Sequence, residues 1–180
     1  MGKSTVVGPI LERQPDLAFS VSWTTRPPRP GEQDGKHYRF VTDETFRRLI
    51  EEGGFLEWAE VFGHRYGTPM APIAEEMAGS RAVLLEIDVQ GAASVRAKMP
   101  DAVLIFLAPP TEHELARRLG ARRTEDRAER DRRLSRAKEE MGQASWFDHV
   151  VVNDDISRAA GEVAGIIDGH RGGQAGRTHA

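Results

Sequence analysis

Arg26 and Arg29 stand in a loop stiffened by three prolines, Ser20-Val-Ser-Trp-Thr-Thr-Arg-Pro-Pro-Arg-Pro-Gly-Glu-Gln-Asp-Gly-Lys-His-Tyr38. Pro27, Pro28 and Pro30 forbid both a helix and a central strand there. If Arg26 to Arg29 runs as polyproline II, one turn separates the two guanidiniums, which then point to the same side about 9 Å apart. Two planar forks on one side of a stiff loop suit a phosphate group. Two other readings fit the loop alone. Pro27-x-x-Pro30 beside an arginine resembles a ligand for a proline-binding module, and the stretch also reads as a plain surface turn.

A second phosphate signal stands at the start. Gly2-Lys3-Ser4-Thr5 has the form of the end of G-x-x-x-x-G-K-[ST]. In that motif backbone amides cradle phosphates, Lys reaches the β- and γ-phosphates, and Ser or Thr holds Mg²⁺. Four residues carry the match here, and an ordinary N-terminus is the alternative. A third signal is cationic. Arg117, Arg118, Arg122, Arg123, Arg127, Arg130, Arg132, Arg133 and Arg136 face only four acids in the same stretch, Glu125, Asp126, Glu129 and Asp131. From Arg122 to Arg133 the only apolar residue is Ala128. Such a segment buries no core face, so it projects into solvent or closes over an anion. A salt-bridged solvated helix is the bland reading. An RNA patch is a further one, but no aromatic residue interleaves with the arginines.

Three carboxylates complete the set. In Phe55-Leu-Glu-Trp-Ala-Glu-Val-Phe62, an expected strand, Glu57 and Glu60 fall on opposite faces, and Glu57 shares its face with Phe55 and Ala59. A buried carboxylate needs a partner, and a base with paired N–H donors is one; a surface glutamate is the alternative. Glu86 and Asp88 close the apolar run Ala82-Val-Leu-Leu-Glu-Ile-Asp88, the pattern of a buried parallel strand with acids at its ligand-binding edge. On such a strand they share a face; otherwise Asp88 simply caps the next helix. His64 falls in a turn-rich loop, 63–69, with no second His or acid at ligand spacing, so no metal is read there.

The elements that position these residues alternate. Val6, Val7, Ile10 and Leu11 have helical spacing, with a kink or late start expected at Gly8-Pro9. Leu17–Val21 and Tyr38–Val41 read as strands. Thr42 or Asp43 caps a helix to about Glu52, with Phe46, Leu49 and Ile50 inward and Gly53-Gly54 as its end. A helix follows Pro69 and closes at Gly79, and another spans 90–98. Ala102–Leu107 and His149–Asp154 are apolar runs that read as further buried strands. Thr111 caps a helix carrying Leu115 and Leu119, and an inward stripe of Leu134, Ala137, Met141 and Ala144 follows the arginines. The last helix runs from Ile156 to Asp168, and Gly169–Ala180 reads as a disordered tail.

At 180 residues, 39% hydrophobic and 29% charged, the chain reads as one globular domain. No apolar run is long enough to span a membrane, and no signal peptide follows Met1. Without cysteine the expected location is cytoplasmic, with no disulfide or Cys-ligated metal. A formal net charge of −3 argues against a general nucleic-acid binder, so anion binding must come from local clusters.

Alternating strands and helices imply an α/β fold, a parallel sheet flanked by helices. With the P-loop remnant at its start, the chain resembles the guanylate kinase family of P-loop nucleoside monophosphate kinases. The resemblance runs from Gly2 to about Ile167 and rests on several blocks: the Ser20–Gly35 loop, Phe55-Leu-Glu-Trp-Ala59, Tyr66-Gly-Thr68, Glu86-Ile-Asp-Val-Gln-Gly91 and Val151-Val-Asn-Asp154. It implies a core of 1–21, 82–120 and 134–168, a small β-rich GMP-binding subdomain at about 22–81, and an arginine-rich lid at about 121–133. It implies transfer of the γ-phosphoryl group of ATP to GMP or dGMP. Arg26, Arg29, Tyr38 and Tyr66 would grip the GMP phosphate. Glu57 would accept from guanine N1–H and N2–H₂, with Ser22 and Thr68 donating to the base. Glu86 and Asp88 would lie near the ribose, Mg²⁺ waters or orienting arginines. Gly2, Lys3, Ser4 and Thr5 would serve the ATP phosphates, with Ser4 on Mg²⁺ and Lys3, Arg122 and Arg133 offsetting charge on the transferred group. Asn153 and Asp154 would sit near adenine.

The sequence departs from the family pattern in four places. The family's strand and first P-loop residues precede the position of Gly2, and the expectation is a misassigned start, with Met1 written for a GUG codon. Gly8-Pro9 interrupts the first helix, Trp23 replaces a small residue, and Arg123 replaces a lid glycine. Three functions compete at this stage: the ATP-dependent GMP kinase, a guanylate-kinase-like module whose GMP cleft binds a protein, and a kinase for another phosphorylated metabolite. Glu57 and Thr68 argue against the last.

Overall fold

The structure, a computed structural model, describes residues 3–79, 81–120 and 127–175, with side chains at 5–79, 81–118 and 134–171. The chain divides into two compact units, Met1–Gln14 with Val103–Ala180, and Pro15–Ala102. The first unit opens with α1 (Lys3–Arg13), whose Val6 and Ile10 are buried as the helical spacing predicts. The late start expected at Gly8-Pro9 does not occur: α1 begins at Lys3 and Pro9 lies inside it. Packing overrides propensity here. Buried Val6 and Ile10 bracket the proline, and Arg13 Nη1 donates to Pro9 O at 2.9 Å.

The second unit carries β1 (Ala18–Phe19), β2 (Trp23–Thr24), β3 (Arg39–Phe40), α2 (Asp43–Glu51), β4 (Phe55–Val61), β5 (His64–Pro69), α3 (Met70–Ala78), β6 (Val83–Leu84) and α4 (Val89–Lys98). β1 and β6 pair in parallel. The other strands form a mixed sheet in the order β3-β2-β5-β4. Thr42 caps α2 by accepting from Thr45 N–H, as expected. Two expectations are corrected. The stretch 63–69 is not a loop but β5, the return arm of a tight hairpin in which Val61 faces His64. Phe62 and Gly63 make the turn at φ 51° and 76°, the two left-handed residues of a type I′ connection. The run 82–88 is a strand only at Val83–Leu84 and is half-buried, because β6 has a single neighbour, β1, among the described strands. Glu86 and Asp88 therefore share no strand face.

A core of Leu56, Ile73 and Val95, with Met70, Val83, Leu85 and Ile87 against it, joins β4, α3, β6 and α4. Phe46 of α2 stacks on Phe55 of β4 with centroids 4.4 Å apart. Gly67 makes that stack possible. A Cβ there would meet the Phe55 ring at 2.9 Å and the Phe46 ring at 3.0 Å.

The first unit resumes with β7 (Ile105–Ala108), α5 (Glu112–Gly120), α6 (Arg127–Gly142), β8 (His149–Val152) and α7 (Ile156–Ala175). β7 and β8 pair in parallel, and Thr111 caps α5 by accepting from Glu114 N–H. β8 is not buried on both faces as expected: Val151 is buried, but Val150 and Val152 are exposed. Part of the arginine cluster, 127–133, is helical and continuous with the packed segment around buried Ala137; Arg122 and Arg123 lie outside the described residues. The disordered tail expected from Gly169 is also corrected, since α7 continues to Ala175. Side chains tie α7 to the end of α1. Buried Gln14 donates to Asp168 Oδ1 at 2.8 Å and accepts from Arg171 Nη1 at 3.1 Å. No helix among the described residues is long and apolar enough to cross a membrane.

Candidate functional site

The proline-rich loop separates its two arginines. Arg29 is exposed, while Arg26 is 7% exposed. Arg26 Nε donates to Tyr66 Oη at 3.2 Å, Nη1 to Pro27 O at 2.7 Å, and Nη1 and Nη2 to the two oxygens of Glu32 at 2.8 and 2.9 Å. Four of the five guanidinium N–H groups are thus occupied, which leaves one. Tyr38 and Phe40 flank the cation at 5.5 and 5.7 Å from ring centroid to Cζ. The same Glu32 carboxylate accepts the Arg29 backbone N–H at 2.6 Å, so one acid fixes both ends of the Arg26–Arg29 segment. Burial opposes the Arg26 charge, but the hydrogen bonds to Glu32 and Tyr66 outweigh it and raise its pKa. In return the Arg26 guanidinium holds the Glu32 carboxyl below the usual carboxylate range. Burial, then the nearby Glu86 charge, pushes the Tyr38 phenol up to about 12, so Tyr38 stays a hydroxyl donor.

The β4–β5 hairpin builds the second cluster. Its register sets Glu57 opposite Thr68, and Thr68 Oγ1 donates to Glu57 Oε1 at 2.5 Å. Both side chains are buried, Glu57 at 6% exposed. The sequence reading put Glu57 on the face of Phe55; the structure moves it to the other. A register shift between Phe55 and Glu57 is a β-bulge at Leu56. Phe55 packs where a Gly67 Cβ would lie, and Glu57 pairs with Thr68, the next residue on the opposite face of β5. Burial pushes the Glu57 carboxyl up; the Thr68 hydroxyl and Lys98 oppose the shift, and Asp88 adds to it.

The start of α4 closes against this carboxylate. Asp88 is its N-cap, with Oδ1 accepting from Gly91 N–H at 2.8 Å. The capping alternative for Asp88 is therefore realised, within electrostatic reach of Glu57. Gly91 lies so near Glu57 that a Cβ would stand 2.7 Å from Oε2. Ser22 is half-buried just before β2, with its carbonyl accepting from Arg39 N–H at 2.9 Å.

The other unit holds the remaining residues. Lys3 and Ser4 form the first turn of α1 and Thr5 follows, exposed. Arg133 lies on α6, while Gly2 and Arg122 lie outside the described residues. Asn153 is buried at the end of β8, its N–H donating to Ala108 O at 2.7 Å and its carbonyl accepting from Arg118 Nη1 at 3.0 Å. Asp154 accepts from Arg158 Nε at 2.8 Å, and that guanidinium holds its carboxyl below the usual range. Sequence reasoning missed Glu32 and Lys98. Glu32 was legible, as an acid six residues from Arg26 in a stiff turn; Lys98, 41 positions from Glu57, had no local signal.

The family model described as guanylate kinase matches residues 1–170. The chain is 51% identical to guanylate kinase from Nocardia farcinica, over 93% of this chain and 88% of that one. It is 50% identical to guanylate kinase from Thermobifida fusca, over 93% and 85%. The crystal structure of guanylate kinase from Anaplasma phagocytophilum superimposes with a TM-score of 0.79 at 37% identity, covering 93% of this chain and 81% of that one.

Proposed function

We infer the reaction from one premise: this chain belongs to the guanylate kinase family. It is an α/β protein of the P-loop kinase fold that transfers the γ-phosphoryl group of ATP to GMP, giving ADP and GDP. One observation carries the assignment of the acceptor site. Tyr66 and Thr68 are two apart on β5 and share a face, about 7 Å from each other. Tyr66 holds Arg26, and Thr68 holds Glu57. A cationic clamp and a buried carboxylate are thus both anchored on one face of β5.

In this reading the phosphate takes the free N–H of Arg26, the Arg29 guanidinium and two phenol hydroxyls. Tyr66 Oη accepts from Arg26, so its own proton remains to donate. Glu57 accepts guanine N1–H and N2–H₂, with Ser22 and Thr68 completing base recognition. Adenine lacks the 2-amino donor and turns an unprotonated N1 to the carboxylate, leaving a buried charge badly paired. Glu86 acts beside Tyr38 and Asp88 beside Glu57. The functional division is a GMP-binding subdomain at about 22–81, a lid at about 121–133, and a core of the remaining elements.

For the donor, the first-turn amides of α1, with Gly2, Lys3 and Thr5, bind ATP phosphates, as a helix N-terminus does. Asn153 and Asp154 lie by adenine, and Lys3, Arg122 and Arg133 offset charge on the transferred phosphoryl group. Ser4 offers Mg²⁺ a hard hydroxyl oxygen in that first turn, a fit to magnesium's preference for oxygen ligands. When bound there, the ion would supply positive charge that offsets the charge of the ATP phosphates. Phosphoryl transfer rests on positioning and charge compensation, so no protein nucleophile is required. The expected location is cytoplasmic.

An ADP-release assay with GMP, dGMP, AMP and UMP tests the reading. Turnover with GMP and dGMP, and little with AMP or UMP, is the expected result. Equal turnover of GMP and AMP overturns the acceptor assignment, and GMP binding without any turnover favours the interaction-module reading.

A further inference from the structure

The bulge that turns Glu57 away from Phe55 has a structural cost. It interrupts the ladder with β5 at Leu56, on an edge strand and in a buried segment, where an unpaired carbonyl is unfavourable. Lys98, at the end of α4, meets that need. Its Nζ donates to Leu56 O at 2.6 Å and to Phe55 O at 3.3 Å. The ammonium is thereby fixed on the two residues that precede Glu57, and the first turn of the same helix, α4, abuts the Glu57 carboxylate at Gly91.

The charge at this place has a second effect. The charged groups acting on Glu57 are Asp88, before α4, and Lys98, at its end. Burial and Asp88 favour the protonated acid; the Thr68 hydroxyl and Lys98 favour the carboxylate. Only the carboxylate accepts both guanine donors. Burial is the largest of these influences and Lys98 the smallest, so the Lys98 charge adjusts the balance and does not set it.

We propose that Lys98 is the positioning residue of the guanine-reading acid: it anchors the β4 bulge that aims Glu57 and supplies a cation that favours ionised Glu57 for GMP. The proposal rests on Glu57 reading guanine. It assigns guanine specificity to a residue that touches neither substrate.

The test is calorimetric GMP binding from about pH 4.5 to 8, with Lys98→Gln, Lys98→Arg, Glu57→Gln and the Lys98→Gln/Glu57→Gln pair. Binding needs no turnover. Gln keeps a donor for the carbonyls without the charge; Arg keeps the charge. For the parent, affinity falls toward acid as Glu57 takes up a proton. Lys98→Gln moves this fall to higher pH, while Lys98→Arg restores the parent profile. In the Glu57→Gln background, Lys98→Gln produces no further shift. A Lys98→Gln profile that coincides with the parent's, or a Lys98→Arg profile displaced as far as that of Lys98→Gln, overturns the proposal. The underlying reading fails separately, and visibly, if Glu57→Gln alone keeps the parent's acid limb and its preference for GMP over AMP.

Discussion

The proline-rich loop and the β4–β5 hairpin treat their charges in opposite ways. In the loop, the charge of buried Arg26 already has its counter-ion before any ligand arrives. Glu32 takes the long edge of its fork, and both pKa values move in the direction that favours the ion pair. In the hairpin, Glu57 is buried beside a like charge, and its pKa moves toward the neutral form. The clamp is consistent with the stability of the fold; the base reader is held partly against it. Charge that must persist in both empty and filled states is paired internally. In the proposed reading, the charge whose partner is the ligand is left incompletely paired, and selectivity arises there.

Breaking the clamp has the largest expected effect among the conservative substitutions around the site. Arg26→Lys keeps the charge but loses the planar fork that bonds Glu32 and Tyr66 together. The KM for GMP rises about 30–100-fold, and the KM for ATP changes little, in steady-state kinetics. Gly91→Ala tests the hairpin. Its methyl would stand 2.7 Å from Glu57 Oε2, so the carboxylate must shift. GMP affinity falls by about tenfold, and AMP affinity, which does not use that geometry, is nearly unchanged in the same titration.

Stability measurements sharpen the contrast through its sign. Glu57 has a folded-state pKa above the ordinary 4.5, so its protonated form favours the fold at low pH and that contribution is lost as pH rises through the folded value. Glu57→Gln therefore raises thermal stability at pH 7, by on the order of 1 kcal/mol or about 2–4 °C, and the gain vanishes below about pH 4.5. Glu32 has a folded-state pKa below 4.5, so its contribution is present above that value and lost as pH falls through the folded one. Glu32→Gln lowers stability at pH 7 by roughly 1–2 kcal/mol, and its deficit shrinks in acid. Melting curves of both variants at neutral and acid pH check the opposed signs. A control at the hairpin turn changes the backbone without touching either set of charges. Phe62 holds a left-handed backbone that asparagine adopts more readily, so Phe62→Asn stabilises the hairpin by about 1 kcal/mol.

The two regions also differed in how far the sequence revealed them. The clamp arginines, Tyr38, Tyr66 and Thr42 are read from turn chemistry and capping, which are local. Glu57 and Thr68 were each identified, but their direct opposition depends on a register that a turn-rich reading of 63–69 concealed. That reading failed because Phe62 supplied the first left-handed residue where Asn or Gly is the usual signal. The face of Glu57 was misassigned because period-2 alternation cannot foresee a bulge. Pro9 inside α1 and the shortness of β6 are tertiary outcomes. The proline is tolerated by packing, and the strand is limited by its neighbours, neither of which local pattern encodes. Lys98 reaches Leu56 across 42 positions and could emerge only from coordinates.

The measurement closest to the central claim is the ratio of GMP to AMP affinity in the parent and in Glu57→Ala. The account predicts that the parent prefers GMP by about a thousandfold or more and that the variant, still folded by its melting transition, binds the two within about tenfold. A folded Glu57→Ala protein that keeps the parent's preference would contradict it.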